Sequence, residues 1–247
     1  MSKQEEAAEE RIDEAEEKRR KFKTHGRKKG KVSPQRIERI EQALAEITLP
    51  HCTDHAALYD AFGRKEQTGR LVLEVGFGNG EVLATLAQRH PEACFIGIDV
   101  FLEGFGTLIH RLDQVGADNV RLVRENAFQV LLERIPPQSL DWVIVNFPDP
   151  WRKKRHFKRR IVQTAFLDAL APAMKPGGDL TLATDWENYA EWMVEHIEPH
   201  PAFDNQASPG PFGPQPDWWI ETNFQRKGVA KERIIYHLHY QRNARSL

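Results

Sequence analysis

The chain has 247 residues, 40% hydrophobic and 29% charged, which is enough apolar material for a sizeable core and excludes a wholly disordered chain. No stretch approaches about 18 consecutive apolar residues, so no membrane-spanning helix is predicted, and charge dominates the first thirty residues, unlike a secretory signal. The formal net charge of −1 hides a segregation: residues 1–17 hold eight acids against two bases, whereas 18–31 hold nine Lys/Arg and 152–160 hold seven, neither block containing an acid. Two dense basic blocks on an otherwise acidic chain predict a polyanionic partner. Cys52 and Cys94 are far apart and in no CxxC pair. That argues against a disulfide framework or a cysteine zinc site and fits a reducing cytoplasm.

Residues 1–32 lack an apolar period and are expected to form a charged arm, leaving 33–247 as the folded domain. Ser33-Pro34 is a helix-start signal, and Ile37, Ile40, Leu44 and Ile47 continue at helical spacing, so a helix is predicted over roughly 34–48. A short helix is predicted from Asp54 to Phe62, ending at Gly63. Strands are expected at 71–75, 94–99, 120–123, 140–145, 180–183 and 234–240. Helices are expected between them, to His90, over about 101–115, 127–134 and 160–173, and from Trp186 to Ile197. Residues 147–159 read as a basic loop, and 199–216, with six prolines, as an irregular connection. Alternating strands and helices predict βαβ units, a mainly parallel sheet and helices on both faces. Ligands of such sheets bind beyond the carboxyl ends of the strands. The segments 76–80, 99–101, 126, 146–160 and 184–186 all follow strands and should converge on one rim.

Gly76, Gly78 and Gly80 follow the first strand and allow a ligand close to the backbone. The dinucleotide fingerprint G-x-G-x-x-G is not met, because Glu81 stands at its third position, and no phosphate-binding G-x-x-x-x-G-K-[ST] is present. Asp99, closing the second strand, suits two ribose hydroxyls. Glu74 would repel a pyrophosphate but attract the amino or sulfonium end of S-adenosylmethionine. Asn126, after the third strand, suits an adenine edge. In 146–160 two prolines fix a bend that should project Asp149 and Trp151 beside the reactive end of the cofactor. Seven cations follow, suited to phosphates, with an aromatic to stack on a splayed base. His51, Cys52, Asp54 and His55 are metal-ligand types within five residues, but no further ligand is evident and no metal is expected.

The segments LEVGFGNG at 73–80, GIDV at 97–100, ENA at 125–127 and FPDPWRKKRHFKRR at 147–160 resemble the bacterial tRNA (guanine-N7-)-methyltransferase family, as do TDWENYAEWM at 184–193, TNFQRKG at 222–228 and GRKKGKVSP at 26–34. The likeness spans essentially residues 22–241. It implies a Rossmann-like, class I methyltransferase fold with a seven-stranded sheet. It further implies S-adenosylmethionine as methyl donor and tRNA as substrate, methylated at a guanine N7 in the variable loop. Carried over by motif, cofactor contacts fall on Glu74, Asp99, Asn126 and Asp149, with Asp149 also catalytic. Substrate contacts fall on Lys153, Asp185 and the turn Thr222, Asn223, Phe224 and Gln225. Arg155, Arg159 and Arg160 are expected to meet tRNA phosphates. Two residues depart from the pattern: the second-strand acid is commonly Glu in the family and is Asp99 here, and the T-x-[FY]-E turn ends in Gln225, an amide in place of a carboxylate. A methyltransferase for another base atom fits less well, since Asn146-Phe147-Pro148-Asp149 breaks the [DN]-P-P-[YW] spacing. An inactive RNA-binding module would not need Glu74, Asp99 and Asp149. A cytoplasmic monomer or homodimer is expected.

Overall fold

A computed structural model of the chain describes residues 33–65, 69–222, 225–226 and 233–245. The expected arm at 1–32, including the basic block 18–31, and the turn residues Asn223 and Phe224 lie outside the described residues.

Helix α1, Pro34–Ile47, starts where the sequence signals it. The Ser33 hydroxyl accepts from the Arg36 N–H at 3.3 Å, and Pro34 occupies the first turn. Helix α2, His55–Asp60, is capped by Asp54, whose carboxylate accepts from the Ala57 N–H at 2.8 Å. His51 and His55 each place a ring nitrogen against a carbonyl oxygen, of Glu133 and Pro137, and Cys52 is buried. Among the described residues no group of three or more His, Cys, Asp or Glu is placed to hold a metal.

Strands β1 (Leu71–Val75), β2 (Cys94–Ile98), β3 (Val120–Val123), β4 (Leu140–Asn146), β5 (Met174–Thr184), β6 (Phe203–Asn205) and β7 (Tyr236–Arg242) form one seven-stranded sheet in the order β3-β2-β1-β4-β5-β7-β6. The first five are parallel; β7 runs antiparallel to β5, and β6 antiparallel to β7. Helices α3 (Glu81–Arg89), α4 (Leu102–Val115), α5 (Ala127–Glu133), α6 (Thr164–Ala173) and α7 (Glu187–Ile197) supply the crossovers. Alternation along the strands sends side chains to two cores. Leu71, Leu73, Val143 and Val145 pack with α2, α5, α6 and α7. Val72, Trp142 and Ile144 pack with α1, α3 and α4 on the other face. The chain order reverses between β1 and β4, which opens a crevice beyond their carboxyl ends.

Several expected boundaries move. The basic segment contains a 3₁₀ helix at Lys154–Arg159 instead of a plain loop, and α6 starts at Thr164, because Arg160 and Gln163 take extended, non-helical conformations. Strand β5 begins six residues early, where Met174 pairs with Leu140. Strand β7 begins at Tyr236. The proline-rich connection holds β6, whose three residues are too few to show a period in the sequence. No helix among the described residues is long and apolar enough to cross a membrane.

Candidate active site

The loop from β1 into α3 takes backbone conformations that favour glycine: φ is +77° at Gly76, +57° at Gly78 and +69° at Gly80. At Gly80 a Cβ would also stand 2.4 Å from the Leu108 side chain. A Cβ at Gly104 would meet the Gly78 carbonyl oxygen at 2.2 Å, so α4 approaches the loop as closely as backbone allows. Asp99 fixes the loop from β2. Its carboxylate accepts from the Gly78 N–H at 2.9 Å, and from the N–H groups of Val100 at 2.6 Å and Phe101 at 3.0 Å. Asn126 caps α5, its side-chain oxygen accepting from the Phe128 N–H at 2.9 Å.

These residues meet in a cavity of ≈ 730 Å³. Its wall includes Glu74, Gly76, Gly78, Asp99, Asn126 and Asp149, as well as Thr222 and Arg159 from the expected RNA-facing set. Glu74 is 3% exposed. Burial, aided by the neighbouring Asp99 charge, pushes its carboxyl up to about 8, and one carboxyl oxygen has no hydrogen-bond partner. Asn146, which closes β4, lines the same cavity with both amide atoms buried and unpartnered. The sequence patterns did not single it out as a ligand, although a polar residue ending an apolar strand is a visible signal.

Beyond Asn146 the chain is strained. Phe147 stands at φ +49° and Trp151 at φ +44°, left-handed conformations in non-glycine residues on either side of Pro148-Asp149-Pro150. Asp149 is exposed and lines the cavity. The Arg159 guanidinium lies 5.0 Å from the Trp151 ring centre, with its Nε buried and unpartnered.

Arg160 corrects the expectation placed on it. Its exposure is 0%, so it cannot meet a phosphate. Its guanidinium donates to the Pro150 carbonyl at 3.0 Å, and to the Asn188 carbonyl at 3.2 Å and side-chain oxygen at 2.8 Å. It also lies 3.7 Å from the ring centre of Phe157, 4.7 Å from that of Tyr189 and 5.1 Å from that of Trp192. It pins the bend to α7. Lys153 and Arg155 are exposed and stand outside the cavity wall. Asp185 also lies outside the wall and is paired with Arg233 at 2.6 Å, a partner far away in sequence that no motif announces. Thr222 and Gln225 are both buried. The Thr222 hydroxyl accepts from the Gln225 N–H at 3.2 Å, and the Gln225 side-chain oxygen accepts from the Trp219 indole at 2.5 Å.

The fold is shared with solved methyltransferases. The crystal structure of the 16S rRNA methyltransferase KamB matches with a TM-score of 0.53 and 14% identity, over 80% of this chain and 98% of that one. The antibiotic-resistance methyltransferase Kmr matches with a TM-score of 0.50 and 18% identity, over 79% and 96%. The sheet order, the glycine loop and these likenesses define a Rossmann-like methyltransferase fold of class I. A family model described as "Putative methyltransferase" matches residues 68–238. The tRNA (guanine-N(7)-)-methyltransferase of Magnetococcus marinus is 69% identical over 232 residues, covering 94% of this chain and 92% of that one. Those of Halorhodospira halophila and Bordetella pertussis are 43% and 36% identical, over 69% and 87% of this chain and 74% and 83% of theirs. The chain belongs to the tRNA (guanine-N7-)-methyltransferase family, whose methyl donor is S-adenosylmethionine.

Proposed function

We propose that this protein transfers the methyl group of S-adenosylmethionine to N7 of a guanine in the variable loop of tRNA, giving 7-methylguanosine. The observation that carries the assignment is one cavity whose wall joins the buried acids Glu74 and Asp99 to the strained, cation-flanked bend bearing Asp149. The cavity fits the donor: the unpartnered Glu74 oxygen and Asn146 amide need a polar ligand, and the glycine loop admits one. Asp99 accepts from the ribose hydroxyls, Asn126 donates to the adenine edge, and Glu74 faces the cationic end.

Bound S-adenosylmethionine supplies a methyl carbon that bonds to the N7 lone pair as its bond to sulfur breaks. Guanine N7 carries no proton, so no side chain has to act as a base. Asp149 accepts from the guanine N1–H and amino edge, and its charge favours the positive charge that grows on the purine. The fixed bend holds it in place, so much of the rate comes from alignment. Asp185 contributes to guanine binding together with its partner Arg233, and Thr222, Asn223, Phe224 and Gln225 contribute to substrate binding as well. Lys153, Arg155 and Arg159 neutralise RNA phosphates, helped by the 1–32 arm, while residues 33–247 form the methyltransferase domain. The protein works in the cytoplasm as a monomer or homodimer. Digestion of bulk tRNA after incubation with the protein and S-adenosylmethionine should yield 7-methylguanosine by mass spectrometry. Methylation at another base atom, or none, would overturn the assignment.

A further inference from the structure

Five buried side-chain polar atoms lack a partner among the described residues: the Tyr59 hydroxyl, one Glu74 carboxyl oxygen, Arg159 Nε and both amide atoms of Asn146. Asn146 is the residue whose whole polar group is unsatisfied, and it lines the cavity. A buried amide of this kind costs free energy unless a ligand completes it. Its place in the sheet says which part of the ligand that is. Ile144 of β4 pairs with Glu74 of β1. Asn146 lies two residues further along β4, so its side chain stands on the same sheet face as those of Ile144 and Glu74.

The sheet order lays out the rest. Asn126 follows β3, Asp99 closes β2, Glu74 is in β1 and Asn146 closes β4, and these strands are consecutive neighbours. A ligand with its adenine at Asn126 and its ribose at Asp99 spans three inter-strand spacings, about 14 Å, before reaching β4. Its far end is the α-amino acid, which carries an ammonium donor and a carboxylate acceptor side by side. An amide offers one acceptor and two donors at the same spot. We infer that Asn146 is a cofactor-binding residue that recognises the amino-acid end of S-adenosylmethionine, its side-chain oxygen accepting from the ammonium beside Glu74 and its N–H groups donating to the carboxylate.

This rests on the cofactor placement proposed above, and the test separates the two. S-Adenosylhomocysteine and 5′-methylthioadenosine share adenosine and sulfur, but the second lacks the amino acid. Titration calorimetry of both on the full chain should show Asn146→Leu weakening S-adenosylhomocysteine by on the order of 10-fold or more, as for removal of a hydrogen bond to a charged group, and 5′-methylthioadenosine by less than about 2-fold. Asn146→Ser, smaller and polar, guards against misfolding of the leucine variant and should show the same selective loss. Equal losses for both ligands, or no loss for S-adenosylhomocysteine, would overturn the role of Asn146. A wild-type protein that binds the two ligands equally would instead overturn the placement of the amino-acid end at β1 and β4.

Discussion

At the end of β2 the Asp99 carboxylate accepts three backbone N–H groups before any ligand arrives. At the end of β4, by contrast, the Asn146 amide is buried without a partner, and Phe147 and Trp151 stand at positive φ. The first end is a finished frame: the acid proposed to hold the ribose also ties the glycine loop to the sheet. The second end stores cost, of order 1–3 kcal/mol for each strained residue. Something outside it has to hold it in shape. Arg160 does so, clamped between the Pro150 carbonyl and Asn188 of α7. The difference teaches where ligand binding should matter most to stability. The β2 end gains little that it lacks, and the β4 end is completed by what enters the cavity.

Glu74, between the two ends, gives the largest expected effect. Its carboxyl ionises at about 8 in the fold, well above the usual carboxylate range. The native state therefore holds a proton that the unfolded chain has already released. Stability from this group is complete below the ordinary carboxylate pKa and falls as pH rises toward 8, by on the order of 4 kcal/mol. Urea unfolding of the ligand-free protein from pH 5 to 8 should show that slope, and Glu74→Gln should flatten it. A wild-type midpoint that does not fall over this range would remove Glu74 from the account.

Arg160→Met tests the clamp. Three hydrogen bonds from a buried cation disappear, and the Asn188 and Pro150 oxygens lose their donor, so unfolding should cost about 3 kcal/mol less. Chemical denaturation measures it; a loss under about 1 kcal/mol would mean that the bend holds itself. Asp149→Asn should leave stability and tRNA affinity nearly intact and lower the single-turnover methylation rate by about 100-fold, because the interaction it removes grows as the purine becomes cationic. If tRNA affinity fell and the rate held, Asp149 would be a binding residue only. Asp99→Ala should weaken S-adenosylhomocysteine by roughly 2 kcal/mol in calorimetry. It should also loosen the 76–80 loop, visible as faster amide exchange at Gly78, and unchanged exchange would show that the carboxylate is not what fixes the loop.

The frame was more legible in the sequence than the clamp, for physical reasons. Asp99 and Asn126 are polar residues at the ends of apolar strands, and topology alone brings strand ends together. Arg160 sits in a run of seven cations, where charge counting treats every member as solvent-facing. Its burial depends on Tyr189 and Trp192, presented by a helix some thirty residues later. The same holds for Asp185, whose partner Arg233 is 48 residues away. The strand-end polarity that marked Asn126 also marks Asn146, but reading 146–160 as one motif drew attention to its prolines and cations. Strand β6, three residues long, is fixed by its pairing with β7 and not by any pattern of its own.

The smallest effect sharpens the contrast inside the basic run. Arg155 lies five residues before Arg160 and carries the same charge, but it is exposed, with its Nε 3.3 Å from the His156 ring nitrogen. Exposed cations of this kind contribute little to folding, so Arg155→Ala should change stability by less than about 0.5 kcal/mol. Its effect should instead be on RNA. A phosphate that Arg155 no longer neutralises keeps its condensed counterions, so the slope of log affinity against log salt should become shallower by ~0.7–0.9. Arg160→Gln, where it folds, should leave that slope unchanged, because a buried guanidinium neutralises no phosphate. Binding titrations of tRNA at four or five salt concentrations on the two variants decide it. An unchanged slope for Arg155→Ala would take this position off the RNA surface. A shallower slope for Arg160→Gln would mean that the clamp opens when RNA binds.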